Sequence, residues 1–351
     1  MADDAVTYID LGDEYLTPDG MVLDPSDNCI VLGIPCAIVD GPAPLLKITP
    51  DDEIVPWFVI PAHPETGKAT PLGIDFGPDG HLYVADSQDI GGNSDHMGRL
   101  LRVIVEDGKP VRCEVLATGF CCPNGLAVRD GKVYFCETKV VAAPESPMTS
   151  GVFCFDIDEL DPAAPYEAKP YVSADDKDPH FIFQFETLDP DWQVGANGLG
   201  FSAEGEMYVC NFGDEALLGV TLAEDGKTVE SERVVAQGEG MGSTDGLKVS
   251  ERSGMVVIAD FAANAVWAVS PQSGRVFKIL QNEVGTGANG ELDRCSEVCL
   301  RDGKIYVSNI DLPFDNENDA PHSITVIDIR KLMEERRESE GEHEDEDGDE
   351  D

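Results

Sequence analysis

The stretch CPNGLAVRDGKVYFCETKV, residues 122–140, decides how this chain is read. A polar residue, Asn124, and a glycine open a short apolar run. The pair Asp130-Gly131 then supplies turn chemistry, and a β-branched and aromatic run, Val133-Tyr134-Phe135, returns. Such a pattern is a β-hairpin. Five other stretches repeat it: TPDGMVLDPSDNCIVLGIP (17–35), TPLGIDFGPDGHLYVADSQ (70–88), GANGLGFSAEGEMYVCNFG (195–213), STDGLKVSERSGMVVIADFA (243–262) and CSEVCLRDGKIYVSNID (295–311). The opening residues are Asp19, Leu72, Asn124, Asn197, Asp245 and Ser296, at spacings of 53, 52, 73, 48 and 51 residues. Self-similarity at a period near 50 marks a repeat architecture.

A third strand is expected after each hairpin, at 45–48, 100–105, 152–157, 217–222, 265–269 and 324–329, and a fourth in most units, at 54–60, 112–118 and 232–236. Four antiparallel strands per unit, repeated radially, predict an all-β, six-bladed β-propeller. The sixth unit meets a charged tail before any fourth strand. Residues 5–11 read as that strand, so the N-terminal strand would close the last blade and remove two open edges. An open β-solenoid is the alternative, and it needs no such closure. The propeller is assigned to residues 1–333. Residues 334–351, twelve acidic and two basic, read as a disordered acidic tail. The long third interval carries Phe181, Phe183, Phe185 and Trp192, either a lid or an ordinary strand packed on blade 3.

The formal charge is −45, and the body without the tail keeps about −35 of it. That balance argues against nucleic acid or an anionic membrane as a partner and leaves a small-molecule substrate, with a monomer favoured. No run of about 18 apolar residues occurs. The start, MADDAVTYIDLGDE, shows neither a basic nor an apolar signal region, so a cytoplasmic location is expected, with a secreted or periplasmic one left open. None of the ten cysteines forms a C-x-x-C pair. Most lie in strand-like runs and read as buried small hydrophobes in a reducing compartment; a disulfide between distant blades stays open.

The first strand of each propeller blade lines the central channel, so the six opening residues should ring one mouth. Asp19 and Asp245 bring carboxylates, and Asn124 and Asn197 bring amide oxygens. A donor set of hard oxygens suits calcium better than zinc, and better than magnesium with its stricter geometry. One calcium ion in the channel is expected, with other divalent metals possible. A lone Asp-Gly or Asn-Gly is ordinarily a turn signal; four in register on one ring favour the metal. A second polar set follows 13–15 residues later: Asp86, Glu137, Asn211, Asp260 and Asn309. These read either as groups that orient the ring ligands or as strand-end hydrogen bonding within blades. The long loops 87–98, 139–151, 174–195 and 311–323 open on the same face and carry His96, His180 and His322, candidate proton carriers. No phosphate loop, G-x-S-x-G elbow or H-E-x-x-H motif is present.

At these residues the chain resembles the senescence-marker-protein/gluconolactonase family, also called regucalcin-like, and its relatives the diisopropyl fluorophosphatases and paraoxonases. The resemblance spans roughly residues 5–330 and rests on the six repeats, CPNGLAV, STDGLKV and the order of ring residues. It implies a catalytic calcium held by Asp19, Asn124, Asn197 and Asp245. The family's first ligand is usually Glu; Asp19 is one methylene shorter. A second calcium, seen in some relatives, leans on a blade-6 histidine where this chain has Cys299, and is not expected. The implied function is a calcium-dependent hydrolase of a small lactone or ester, the metal polarising the carbonyl and Asp245 acting as general base toward water, with a nucleophilic role for Asp245 as the alternative. The alternatives are a phosphotriesterase on the same metal, a non-enzymatic calcium-binding or interaction propeller, and a strictosidine-synthase-like condensing enzyme, for which Glu297 is the residue to watch.

Overall fold

The computed structural model describes residues 5–90, 95–143, 146–313, 318–335 and 337. Six small antiparallel sheets form a six-bladed β-propeller. In blade 3 the strands run Pro123–Arg129, Lys132–Glu137, Met148–Asp156 and Phe181–Thr187, from the channel outward. The apolar stretch from Phe181 is therefore an ordinary outer strand. Blade 5 also gains a fourth strand, Val276–Gln281, which its mixed Lys and Gln content hid in the sequence.

The N-terminal strand Val6–Asp10 closes blade 6. It pairs antiparallel with Ser323–Asp328, from Val6 opposite Ile327 to Asp10 opposite Ser323. Closure joins two distant pieces of chain into one sheet, which an open solenoid does not do. The ring is held by six apolar clusters between neighbouring blades, and a seventh gathers Phe212, Phe261 and Ile310 of blades 4, 5 and 6. Val22 and Val31 of blade 1 pack with Ile74, Leu82 and Val84 of blade 2. Met21 and Ile30 pack with Tyr306 and Val326 of blade 6 and with Ile9 of the closing strand. Each sheet is thus buried on both faces, and this explains strands that read as continuous apolar runs.

All ten cysteines are free, and nine of them are buried among these apolar side chains. The chain becomes helical over 329–335 and at 337. Asp328 starts this helix by accepting the backbone N–H groups of Arg330 and Lys331 at 3.0 and 3.2 Å. Glu334, Glu335 and Arg337, expected in a disordered tail, belong to this helical stretch; the rest of the tail lies outside the described residues. Among the described residues no helix is long and apolar enough to cross a membrane.

Candidate metal centre and cavity

Each inner strand opens with its ring residue followed, in five blades, by glycine. The ladder breaks there: pairing skips from Pro123 to Leu126, from Ala196 to Leu199 and from Pro71 to Ile74. Such a bulge re-aims the side chain that it carries. It turns the ring residue toward the mouth of the channel and sets the glycine against the next blade. Gly198 N–H donates to the Asp245 carbonyl at 3.1 Å, and Gly246 N–H to the Ser296 carbonyl at 2.8 Å. Neighbouring ring residues are therefore joined through backbone.

All six ring residues line one cavity of about 310 Å³, together with Asp89, Ile90, Cys122, Thr138, Lys139, Trp192, Gln193, Val194, Phe212, Phe261, Ile310 and Leu312. Asp19 and Asp245 are each 8% exposed. Burial pushes the Asp19 carboxyl up to about 6, against a hydrogen bond from Ser296 and the charge of Lys248. Burial, and then the charges of Asp19, Glu297 and Asp260, push Asp245 well above the carboxylate range, against a hydrogen bond from Asn197. Asn124 spends its Nδ2 on Thr138 Oγ1 at 3.2 Å, which leaves its Oδ1 for the ring. Two buried carboxylates that repel one another, with amide groups beside them, are a donor set that a hard divalent cation fits.

The second polar set does not line the cavity. Four of its members bracket the chain two or three residues before the ring residue. Asp86 accepts Thr70 N–H at 2.7 Å, Glu137 accepts Cys122 N–H at 3.1 Å, and Asn309 accepts Asp293 N–H at 3.0 Å. Asp260 takes Gly242 N–H and the Ser243 hydroxyl, both at 2.8 Å. Asn211 instead accepts the Thr187 hydroxyl at 2.8 Å, tying blade 4 to the outer strand of blade 3. The first four are strand-end bonds that fix where the ring strands of blades 2, 3, 5 and 6 start.

The histidines lie elsewhere. His96 Nδ1 sits 3.1 Å from the Gly119 carbonyl. His180 stacks on Phe155 at 4.3 Å and meets Asp178 at 3.2 Å. His322 is buried, and its carbonyl accepts Leu11 N–H at 2.8 Å, a latch on the closing strand. None of the three lines the cavity. Glu297 stands where the other blades have glycine, and it too lies outside the cavity. Its Oε1 accepts Val298 N–H at 2.8 Å and its Oε2 is 3.8 Å from Lys248 Nζ. Burial pushes its carboxyl up to about 7, with Lys248 opposing. Lys248 lines a recess of about 1190 Å³ at the other end of the inner strands. That recess is the larger one, but strand-end turns line it; the paired carboxylates open on the smaller cavity.

Sequence reasoning missed the cavity wall. Thr138, Phe212, Phe261 and Ile310 each directly follow a member of the second polar set. Side chains alternate along a strand, so a residue next to one turned into its blade faces the other way. That alternation was readable. Trp192, Phe212 and Phe261 pack together, with ring centroids 5.6–6.4 Å apart. Lys139 pairs with Asp89 at 2.7 Å and brings a cation to the wall.

No protein-family model matches the chain, and no curated protein is significantly similar to it in sequence. Solved structures do match its fold. A luciferin-regenerating enzyme superposes with a TM-score of 0.60 at 14% identity, over 92% of this chain and 94% of that one. The calcium-binding protein regucalcin of Agrobacterium tumefaciens gives 0.55 at 12% identity, over 89% and 90%. A gluconolactonase of Xanthomonas campestris gives 0.53 at 13% identity, over 92% and 89%. At these identities the likeness establishes the shared propeller fold, and it agrees with the family that the ring residues resemble.

Proposed function

We propose that this chain is a calcium-dependent hydrolase of a small lactone or ester. The observation that carries it is the buried pair Asp19 and Asp245, set with Asn124 and Asn197 in a mostly apolar cavity. These four residues would hold the ion. A bound calcium ion supplies a Lewis acid for the carbonyl oxygen and offsets the charge that develops on it. The chain's own residues do the rest. Trp192, Phe212, Phe261, Ile310 and Leu312 bind the apolar part of the substrate and exclude bulk water. Asp245 accepts the proton of the attacking water as general base. Lys139 and Gln193 offer hydrogen-bond donors to the polar end. The regucalcin and gluconolactonase neighbours support this choice of metal and substrate class.

The test is a panel of lactones and esters, with an organophosphate arm, assayed in calcium and after chelation. Lactone or ester turnover is expected in calcium and should vanish in chelator. Full activity in chelator sinks the proposal.

A second reading, calcium binding without turnover, is supported by the likeness to the calcium-binding protein of Agrobacterium. Both readings predict stabilisation by metal. Calcium at about 100 times its dissociation constant adds about 2.7 kcal/mol if it binds the folded ring alone. Thermal melts in calcium and in chelator should then differ by several degrees. Coincident melts at millimolar calcium would count against both readings, and metal-dependent melts without turnover on any substrate would select the second.

A further inference from the structure

We propose that Asp293, Asp311 and Asp319, beside blade 6, form a second divalent-cation site of calcium-type oxygen chemistry, separate from the channel ring. One carboxylate oxygen from each lies within 4.8 Å of the other two. Asp293 and Asp311 are each 2% exposed. The Oδ1 atom of Asp293 is buried without a hydrogen-bond partner. A carboxylate oxygen in that state forfeits its hydration, and a cation between the three groups restores it.

The scaffold is fixed from two sides. Asp293 stands three residues before the ring residue Ser296, and its N–H is held by Asn309 Oδ1 at 3.0 Å. Asp311 and Asp319 come from the connection between the second and third strands of the same blade. Asp319 N–H donates to Asp311 Oδ2 at 2.9 Å, and Asn318 Nδ2 donates to the Asp311 carbonyl at 2.8 Å. Burial, and then the charges of Asp311 and Asp319, push the Asp293 carboxyl up to about 7, with Glu291 adding and Arg294 opposing. Arg294 itself directs Nη1 to the carbonyls of Phe261 and Ala262, at 3.2 and 3.3 Å. Three carboxylates without thiolate or imidazole select a hard cation, with water or carbonyls completing the six to eight oxygens that calcium takes.

The placement gives the site a role. Ile310 and Leu312, on either side of Asp311, both line the central cavity. An ion at Asp311 would pin the wall that those two side chains form. Cys299, where relatives with a second calcium carry a histidine, takes no part.

Calorimetric titration of chelator-stripped protein with calcium tests this. Wild type is expected to bind two ions. Asp293→Asn and Asp319→Asn should each abolish one of them or weaken it on the order of 10-fold or more, since ligand charge sets affinity. Asp19→Asn should act on the other ion alone. Asp319 is exposed, so its variant keeps the test open if Asp293→Asn fails to fold. Wild-type stoichiometry and affinity in either folded variant overturns the proposal. The ring can fail separately: wild type then binds one ion, and Asp293→Asn binds none.

Discussion

Asp245→Asn is expected to leave the proposed hydrolysis about 10²–10⁴-fold slower even when calcium saturates it, while Asp19→Asn recovers as calcium is raised. Both substitutions keep an oxygen at the ring and remove one formal charge, so both weaken the ion's hold. An amide cannot accept a proton from water, and added metal does not repair that loss. The fold should survive both changes. Burial already disfavours ionisation of Asp245, and Asp19 and Glu297 repel its charge, so the amide relieves a cost. The measurement is kcat at several calcium concentrations, with circular dichroism as the check on folding. Equal and near-complete recovery of the two variants would remove Asp245 as base. Attention would then pass to Asp89 and Lys139, which line the cavity. His96, His180, His322 and Glu297 do not.

What the chain made legible followed from periodicity. A ring residue, followed by glycine in five of the six units and repeated near every fiftieth position apart from one longer interval, is a local signal. The bulge that it produces carries the ring into the channel mouth in blade after blade. The second polar set, Asp86, Glu137, Asn211, Asp260 and Asn309, was found by the same spacing. Their direction was not, because a spacing gives height on a strand and not the face. The next residue, turned the opposite way, was the cavity lining in four blades.

Loop residues carry no such period. His96 and His322 lie on loops of the ring face, whereas His180 leads into the outer strand of blade 3 at the opposite, hairpin-turn end, where its carbonyl accepts Cys154 N–H. The His96 and His180 rings meet the Gly119 carbonyl and Asp178, and His322 holds Leu11 through its backbone carbonyl alone. Trp192 belongs to the same insertion as the outer strand Phe181–Thr187, and it alone of the four aromatic residues reaches the cavity. The carboxylates of Asp293, Asp311 and Asp319 meet only after two connections of blade 6 have folded together, so nothing in their spacing announced them.

Gly125→Ala should destabilise the protein by about 3 kcal/mol or more, at the upper end of what an overpacked methyl costs. A Cβ at Gly125 would overlap the carbonyl oxygen of Asn197 and come within 2.9 Å of the Gly198 Cα. Both obstacles are backbone, so no rotamer change relieves them. Backbone could yield only by moving blade 4 away from blade 3 at the axis, which would also displace the ring residue Asn197. Calcium affinity should therefore fall together with stability. Gly131→Ala is the control. That glycine sits in a hairpin turn at φ 74°, with nothing within 4 Å of an added Cβ. Its cost is the left-handed conformation alone, about 1–2 kcal/mol, and calcium binding should be untouched. Urea unfolding midpoints and calcium titrations of the two variants separate the effects. If Gly125→Ala costs no more than Gly131→Ala, the close approach at the axis is not what the repeated glycine serves. Glu297, the one non-glycine at this position, would then need no special explanation. If the difference holds, Glu297 marks the single seam in the ring where a side chain is admitted, and its carboxylate is held there by Lys248 from the far end of the channel.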